Sequence, residues 1–183
     1  MHTVIALGSA ADGRVPQLLC RALANRFPLL RIDQHQVSGQ MDRDGFLLYD
    51  TNRLEQIHLD HAILILKEQL DPLAGLPRLG TGIAIAESHN KRAMQLLSQV
   101  DIPVITCGLS GKDTFTLSSI GESSAVVSIQ RTISTWDGHE ISPIEIPIRT
   151  KGKVDHYGLL CCGAVLSIFG FLELLPDLLF AAE

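Results

Sequence analysis

Aromatic residues are scarce in this chain: Phe, Tyr and Trp make up 5% of its 183 residues. A platform that stacks successive bases needs exposed aromatic faces. Positive charge is also short, with 15 Lys and Arg against 20 Asp and Glu and a formal net charge of -5. The basic residues are scattered, whereas a nucleic-acid binder concentrates them on one face. Together the two shortages exclude nucleic acid as a partner. The four cysteines, Cys20, Cys107, Cys161 and Cys162, include no CxxC pair. Adjacent Cys161 and Cys162 in an apolar run make a poor metal clip, so the four read as reduced, buried thiols of a cytoplasmic protein. No basic segment precedes the first apolar run, as a secretory leader would require. Nor is any apolar run long enough to span a membrane. The stretch from Gly158 to Leu175 is interrupted by Glu173 and followed by Pro176 and Asp177. That leaves about 15 uninterrupted residues, against roughly 20 for a spanning helix. It reads as a buried helix, and no membrane association is expected.

What the chain does have is apolar mass in short, regularly spaced runs. Hydrophobic residues are 46% of the sequence and charged residues 19%, enough core for one domain of this length. Strand-like runs stand at 3–7, 29–32, 46–49, 62–66, 82–86 and 104–107, and the continuous apolar one at 62–66 has the composition of a central parallel strand. Helical spacing intervenes, first after Pro16, which suits a first helical turn, and again from Asn90 to Val100. Residues 33–45 read as a loop or a weak edge element. Residues 67–81, with Pro72, Gly75, Pro77 and Gly80, read as a connector. Alternation of strand and helix predicts an α/β fold with a mainly parallel, Rossmann-like or P-loop-like sheet flanked by helices. After Gly111 the texture changes. Runs rich in β-branched residues, with a turn at Asp137-Gly138, predict a small antiparallel β unit over about 113–149. A helix from about Tyr157 to Leu172 closes the chain.

The first strand runs into Gly8-Ser9-Ala10-Ala11-Asp12-Gly13-Arg14-Val15. The phosphate-loop pattern G-x-x-x-x-G-K-[ST] also follows a strand and opens a helix. Gly8 and Gly13 have the required separation, and the strand and helix stand where they should. The chemical positions differ. Arg14 replaces the lysine that reaches the outer phosphates, and its planar fork positions charge differently. Val15 replaces the hydroxyl residue that completes a magnesium shell. Pro16 removes an amide N–H, and Asp12 adds negative charge beside the cradle. What remains is a helix N-terminus able to attract an anion weakly, or two glycines that shape a tight turn. The spacing G-x-G-x-x-G is missing, which places a dinucleotide-binding oxidoreductase last among the readings.

The order of motifs resembles the central, ATP-binding domain of the Mur ligase family, which includes the folylpolyglutamate synthetases. The family opens with T-G-T-N-G-K-T-T, matched here by Gly8 to Val15. Its acidic magnesium ligand on a later strand is matched best by Asp50, in Phe46 to Glu55. Its Asp-His pair falls on Asp71-Pro72, where proline cannot bind a metal. Its modified lysine has no evident counterpart. Its N-x-D-D-like turn falls on Glu87-Ser88-His89-Asn90, and its V-I-T-Y-G strand on Val104-Ile105-Thr106-Cys107-Gly108. Its adenine-holding G-x-H-N-x-x-N segment falls on Gly152 to Gly158, with Asp155 and Gly158 at the two asparagine positions and Val154 at the histidine position.

The resemblance implies a scaffold built for ATP-dependent amide-bond formation through an acyl phosphate, in peptidoglycan synthesis. The replacements imply a degenerate version of it, a pseudoenzyme, with no catalytic residue, no metal site and no cofactor expected, ATP and Mg being at most weak ligands. Any anion or nucleotide site would involve Gly8, Ser9, Asp12, Gly13, Arg14, Val15, Asp50, Glu87, His89 and Asp155. Glu87 and His89 are spaced to meet across a turn at a strand end, where α/β folds bind ligands. His58, Asp60 and His61 do not share a helix face and read as a polar strand entry. The expected role is a binding or interaction module, as a homo-oligomer or with a protein partner, the apolar last helix offering an interface. The rival expectation is a ligase domain completed by partner chains.

Overall fold

The runs at 3–7 and 62–66 become central strands because they have two faces to bury, whereas the run at 29–32 is half-buried along its length. The computed structural model of the protein describes residues 1–55, 61–71 and 82–181. In chain order its elements are β1 (His2–Leu7), α1 (Arg14–Ala24), β2 (Leu29–Ile32), β3 (Val37–Gly39), β4 (Phe46–Thr51), β5 (Ala62–Leu66), β6 (Gly82–Glu87), α2 (Lys91–Leu97), β7 (Val104–Cys107), β8 (Phe115–Ile120), β9 (Ser124–Ile129), β10 (Ile133–Ser134), β11 (Glu140–Ile141), β12 (Ile144–Lys151), α3 (His156–Ile168) and β13 (Leu179–Ala181). Eleven of the described strands form one sheet, in the order β13-β12-β9-β8-β7-β6-β5-β1-β4-β2-β3. The strands from β2 through β4, β1, β5, β6 and β7 to β8 run parallel.

Alternation along the central strands feeds two cores. Val4, Ile63 and Ile65 point to the face covered by α1 and α3, while Ile5, Leu7, Leu64 and Leu66 point to the face covered by α2. Helix α1 is strongly one-sided, burying Val15, Pro16, Leu18, Leu19, Ala22 and Leu23. Helix α3 is buried all round, from Tyr157 to Ile168, which is why its sequence has no polar face. The expectation that this helix offers an interface is therefore corrected: its apolar surface is consumed inside the fold. Among the described residues no helix is long and apolar enough to cross a membrane.

The α/β expectation holds, with two differences in detail. The antiparallel strands β8, β9 and β12 extend the main sheet, and only the hairpin β10–β11 stands apart from it. The last helix ends at Ile168, and after a 3-10 turn at Leu172–Asp177 the chain adds the short edge strand β13, parallel to β12. A three-residue strand carries too little periodicity to be read from sequence. The polar stretch after β2 does form an edge element, β3, exposed along its length. Pro72 and the rest of the connector, and His58 and Asp60, lie outside the described residues. His61 is exposed, with φ of 60° and its ring 4.9 Å from that of Trp136.

Candidate functional site

Strand β1 lies between β4 and β5, where the chain's course across the sheet reverses. This is the position at which open α/β sheets bind ligands, beyond the carboxyl ends of the strands. Residues 8–13 leave β1 there. Thr51 follows from β4, Lys67 and Glu68 from β5, and Glu87 from β6. The loop is held by its own neighbours. Gly8 N–H donates to Thr51 O at 3.0 Å and Ser9 N–H to Gln69 O at 2.7 Å. Asp12 N–H donates to Ser9 O at 3.0 Å and Ala11 N–H to Ser9 Oγ at 3.3 Å. A phosphate cradle aims such amides at its ligand; these four are already taken.

The two glycines have different jobs. At Gly8 φ is +154°, and a Cβ would stand 2.6 Å from Lys67 Cβ and 2.7 Å from Gln69 O. Glycine is needed there because the segment after β5 packs against the loop. Gly13 has an ordinary φ of -90°, and a Cβ would meet only the end of the flexible Gln17 side chain.

Charge fills the crevice. Lys67 is wholly buried; its Nζ donates to Ser9 O at 3.0 Å and forms an ion pair with Asp50. The Asp12 side chain is 1% exposed and accepts from Gln69 N–H at 3.1 Å. Arg14 grips it with two parallel bonds, Nε to Oδ1 at 2.9 Å and Nη2 to Oδ2 at 3.1 Å, the bidentate geometry that a guanidinium favours. The same guanidinium contacts Glu68 and reaches Asp155 Oδ1 at 3.3 Å. Arg14 thus joins three carboxylates from the loop, the end of β5 and the start of α3. Val15, expected at the magnesium-hydroxyl position, is buried in the core.

The proton affinities follow. Burial pushes the Asp12 carboxyl up, but the Arg14 bonds, the Gln69 amide and the charges of Arg14 and Lys67 outweigh it and leave it below its ordinary value. Its bonds to Asp12 hold Arg14 firmly protonated. Glu68 moves the other way although it touches Arg14. Burial and the carboxylates of Asp155, Glu87 and Asp12 overcome the single guanidinium and raise it.

A cleft of about 260 Å³ opens beside this clasp, lined in part by Glu68, Glu87, Gly108, Asp155 and Tyr157. A second, of about 180 Å³, lies on the other side of β1 and is lined in part by Gly13, Arg31, Asp50 and Thr51. Asp155 caps α3, accepting from Gly158 N–H at 2.6 Å. Tyr157 Oη ties the helix to the sheet by donating to Leu66 O at 2.7 Å. Glu87 and His89 are not brought together in one site. Glu87 lines the larger cleft, while His89 is exposed on the turn, its Nδ1 3.3 Å from Ser88 Oγ. Among the described residues no group of three or more His, Cys, Asp and Glu side chains is placed to hold a metal.

Sequence reasoning thus names Gly8, Ser9, Asp12, Arg14, Asp50 and Asp155 at a common crevice but misses Lys67. The only signal for it is a lysine immediately after the fully apolar run 62–66, where a chain leaving a buried strand normally turns to solvent. Asn90 is a second omission. Its Oδ1 caps α2 through Ala93 N–H at 3.1 Å, and its Nδ2 donates to Glu68 O at 3.0 Å, fixing the turn that carries Lys67.

No protein-family model matches the chain, and no curated protein matches its sequence. Solved structures do match its fold. MurF ligase from Thermotoga maritima, in complex with ADP, superimposes with a TM-score of 0.52 at 11% identity, over 94% of this chain and 45% of that one. MurF from Acinetobacter baumannii gives 0.58 at 11% identity, over 97% and 46%. The UDP-N-acetylmuramate:L-alanyl-gamma-D-glutamyl-meso-diaminopimelate ligase from Neisseria meningitides gives 0.61 at 12% identity, over 97% and 66%. This chain has a Mur ligase-like fold. It spans less than half the length of either MurF chain. At such identity the likeness concerns the backbone alone.

Proposed function

We propose that this chain is a non-catalytic Mur ligase-like domain that serves cell-wall metabolism as a binding or protein-interaction module, either as a homo-oligomer or with another protein. One observation carries the reading: the crevice at the end of β1 is filled by the chain's own charges, Asp12 under the Arg14 fork and Lys67 against Asp50 and Ser9 O. An incoming triphosphate would meet a buried carboxylate and four loop amides already donating elsewhere. Displacing the amides removes neutral hydrogen bonds worth about 0.5–1.5 kcal/mol each, and freeing Asp12 removes bonds to a charged group worth about 1.5–3 kcal/mol each. Isothermal titration with Mg-ATP tests the proposal. No saturable heat is expected, and micromolar, magnesium-dependent binding refutes it.

A second reading keeps the ligase chemistry and makes this chain one part of an assembled enzyme. Lys67 favours it, since phosphoryl transfer uses a lysine close to the phosphates and one stands next to the loop, just past β5. That reading predicts ATP hydrolysis once the partner chains are added, with loss on Arg14→Ala. Absence of hydrolysis in every such mixture counts against it.

A further inference from the structure

Hard oxygen donors converge in the crevice. The Asp50 carboxylate and the Ser9 carbonyl meet at one buried point that the Lys67 ammonium occupies, and the buried Asp12 carboxylate feels its charge. Carboxylate and carbonyl oxygens are the donors that Mg²⁺ and Ca²⁺ prefer, and Mur ligase-like folds bring the expectation of magnesium. The residues here do not fit a divalent ion. A cation at Asp50 would touch an ammonium that is sealed from solvent and cannot swing away. The position that would add a hydroxyl ligand is Val15, packed in the core.

The lysine is held in place by the rest of the fold. Gly8 has no Cβ, so the stem of Lys67 passes where a side chain would stand. Lys67 N–H donates to Leu7 O at 2.9 Å, and Asn90 fixes the following turn through Glu68 O. Strand β1, strand β4 and the cap of α2 therefore all position one ammonium.

We propose that Lys67 is a built-in counter-ion that takes the place of a divalent cation in this crevice, so that the fold is complete without metal. The inference rests on the reading of a crevice filled by the chain's own charges. It concerns the metal alone, so it is tested on the full chain without nucleotide, with Mn²⁺ as the probe. The readouts are the electron paramagnetic resonance of free and bound Mn²⁺ and the thermal unfolding midpoint.

The wild-type chain is expected to leave Mn²⁺ free and to unfold at the same temperature with or without it. Lys67→Ala exposes the oxygen donors. It is expected to unfold at a lower temperature, to bind Mn²⁺ at least about tenfold more tightly than wild type, and to regain part of its midpoint on adding the ion. Asp50→Asn in the same background should abolish that recovery. Should Lys67→Ala fail to fold, the double variant Lys67→Met/Asp50→Leu decides. It leaves no lone buried charge, and recovery of folding supports the proposal; failure of the double variant overturns it. Saturable Mn²⁺ binding by the wild type that is lost in Asp50→Asn also overturns it, as does a folded Lys67→Ala with no response to Mn²⁺. Metal binding without Mg-ATP binding would sink this inference and leave the proposed function standing.

Discussion

Replacing Arg14 by alanine separates a structural clasp from a ligand-binding side chain. The guanidinium makes two charge-assisted bonds to Asp12, whose carboxylate is buried, and contacts Glu68 and Asp155. Breaking a fully buried ion pair by removing one partner costs about 3–5 kcal/mol. Two features reduce that here. The Arg14 side chain is 44% exposed, so solvent screens much of the attraction. Asp12 also keeps the Gln69 amide at 3.1 Å and the field of Lys67. The expected loss is therefore roughly 1–3 kcal/mol at pH 7, which in a chain of this size lowers the unfolding midpoint by about 2–4 °C per kcal/mol. Urea unfolding measures it. The loss should shrink as pH falls through the raised range of the Glu68 carboxyl, where its protonation relieves the repulsion that Arg14→Ala exposes. A double-mutant cycle with Asp12→Asn should return a coupling of about 1–2 kcal/mol. A loss below about 0.5 kcal/mol, or an Arg14→Ala effect that is the same with Asn at position 12, refutes the clasp and leaves Arg14 as a solvated side chain free for a ligand.

The two loop glycines should respond differently in the same assay. Gly8→Ala is expected to cost about 3 kcal/mol or more, because its Cβ collides with Lys67 and with backbone, whereas Gly13→Ala should lie within about 1 kcal/mol of wild type; equal effects would contradict the packing described. Asp12 sets the acid limb of stability. Its folded carboxyl lies below the ordinary 3.8, so its contribution is fully present above that value and disappears as pH falls through the folded one. Asp12→Asn should flatten the pH dependence of unfolding below about pH 4, and an unchanged acid limb would remove Asp12 from that role. Glu68 has the opposite sign, its folded carboxyl being raised above 4.5, so the cost of ionising it appears as pH rises through the folded value. Burial raises the thiols of Cys20, Cys161 and Cys162; Cys107, Cys161 and Cys162 are buried, whereas Cys20 is only partly so. A disulfide reagent should therefore label at most Cys20 in the native chain and all four cysteines in urea, and rapid native labelling of Cys161 or Cys162 would mean that α3 is not closed over.

Local sequence made the secondary structure legible wherever an element buries a full face. The run at 62–66 is a strand because nothing in it tolerates water, the run at 104–107 buries alternate residues as a strand should, and the one-sided pattern after Pro16 is a helix because it has one face to hide. Legibility fails for elements whose stability comes from elsewhere. The short β13 exists because β12 offers it an edge, and β8, β9 and β12 extend the main sheet because β7 offers another. The all-apolar α3 looks the same in sequence whether it faces a partner or its own core; here its own chain covers it. The candidate site divides along the same line. Gly8, Asp12 and Arg14 are visible as a strand, turn and helix motif with its chemical residues changed. Glu87 and His89 are two residues apart in sequence and diverge across the turn.

By itself, the sequence determined the α/β class, the parallel central strands, the burial of Cys107, Cys161 and Cys162 (Cys20, expected with them, is only partly buried) and the loop from Gly8 to Val15, since periodicity, turn residues and motif spacing are all local. The tertiary structure alone decided what fills that loop. Lys67 lies 58 residues from the Ser9 carbonyl that it reaches, and Asp155 lies 141 residues from Arg14. Which charges become partners depends on the order in which strands stack, and burial then makes each partnership costly to break.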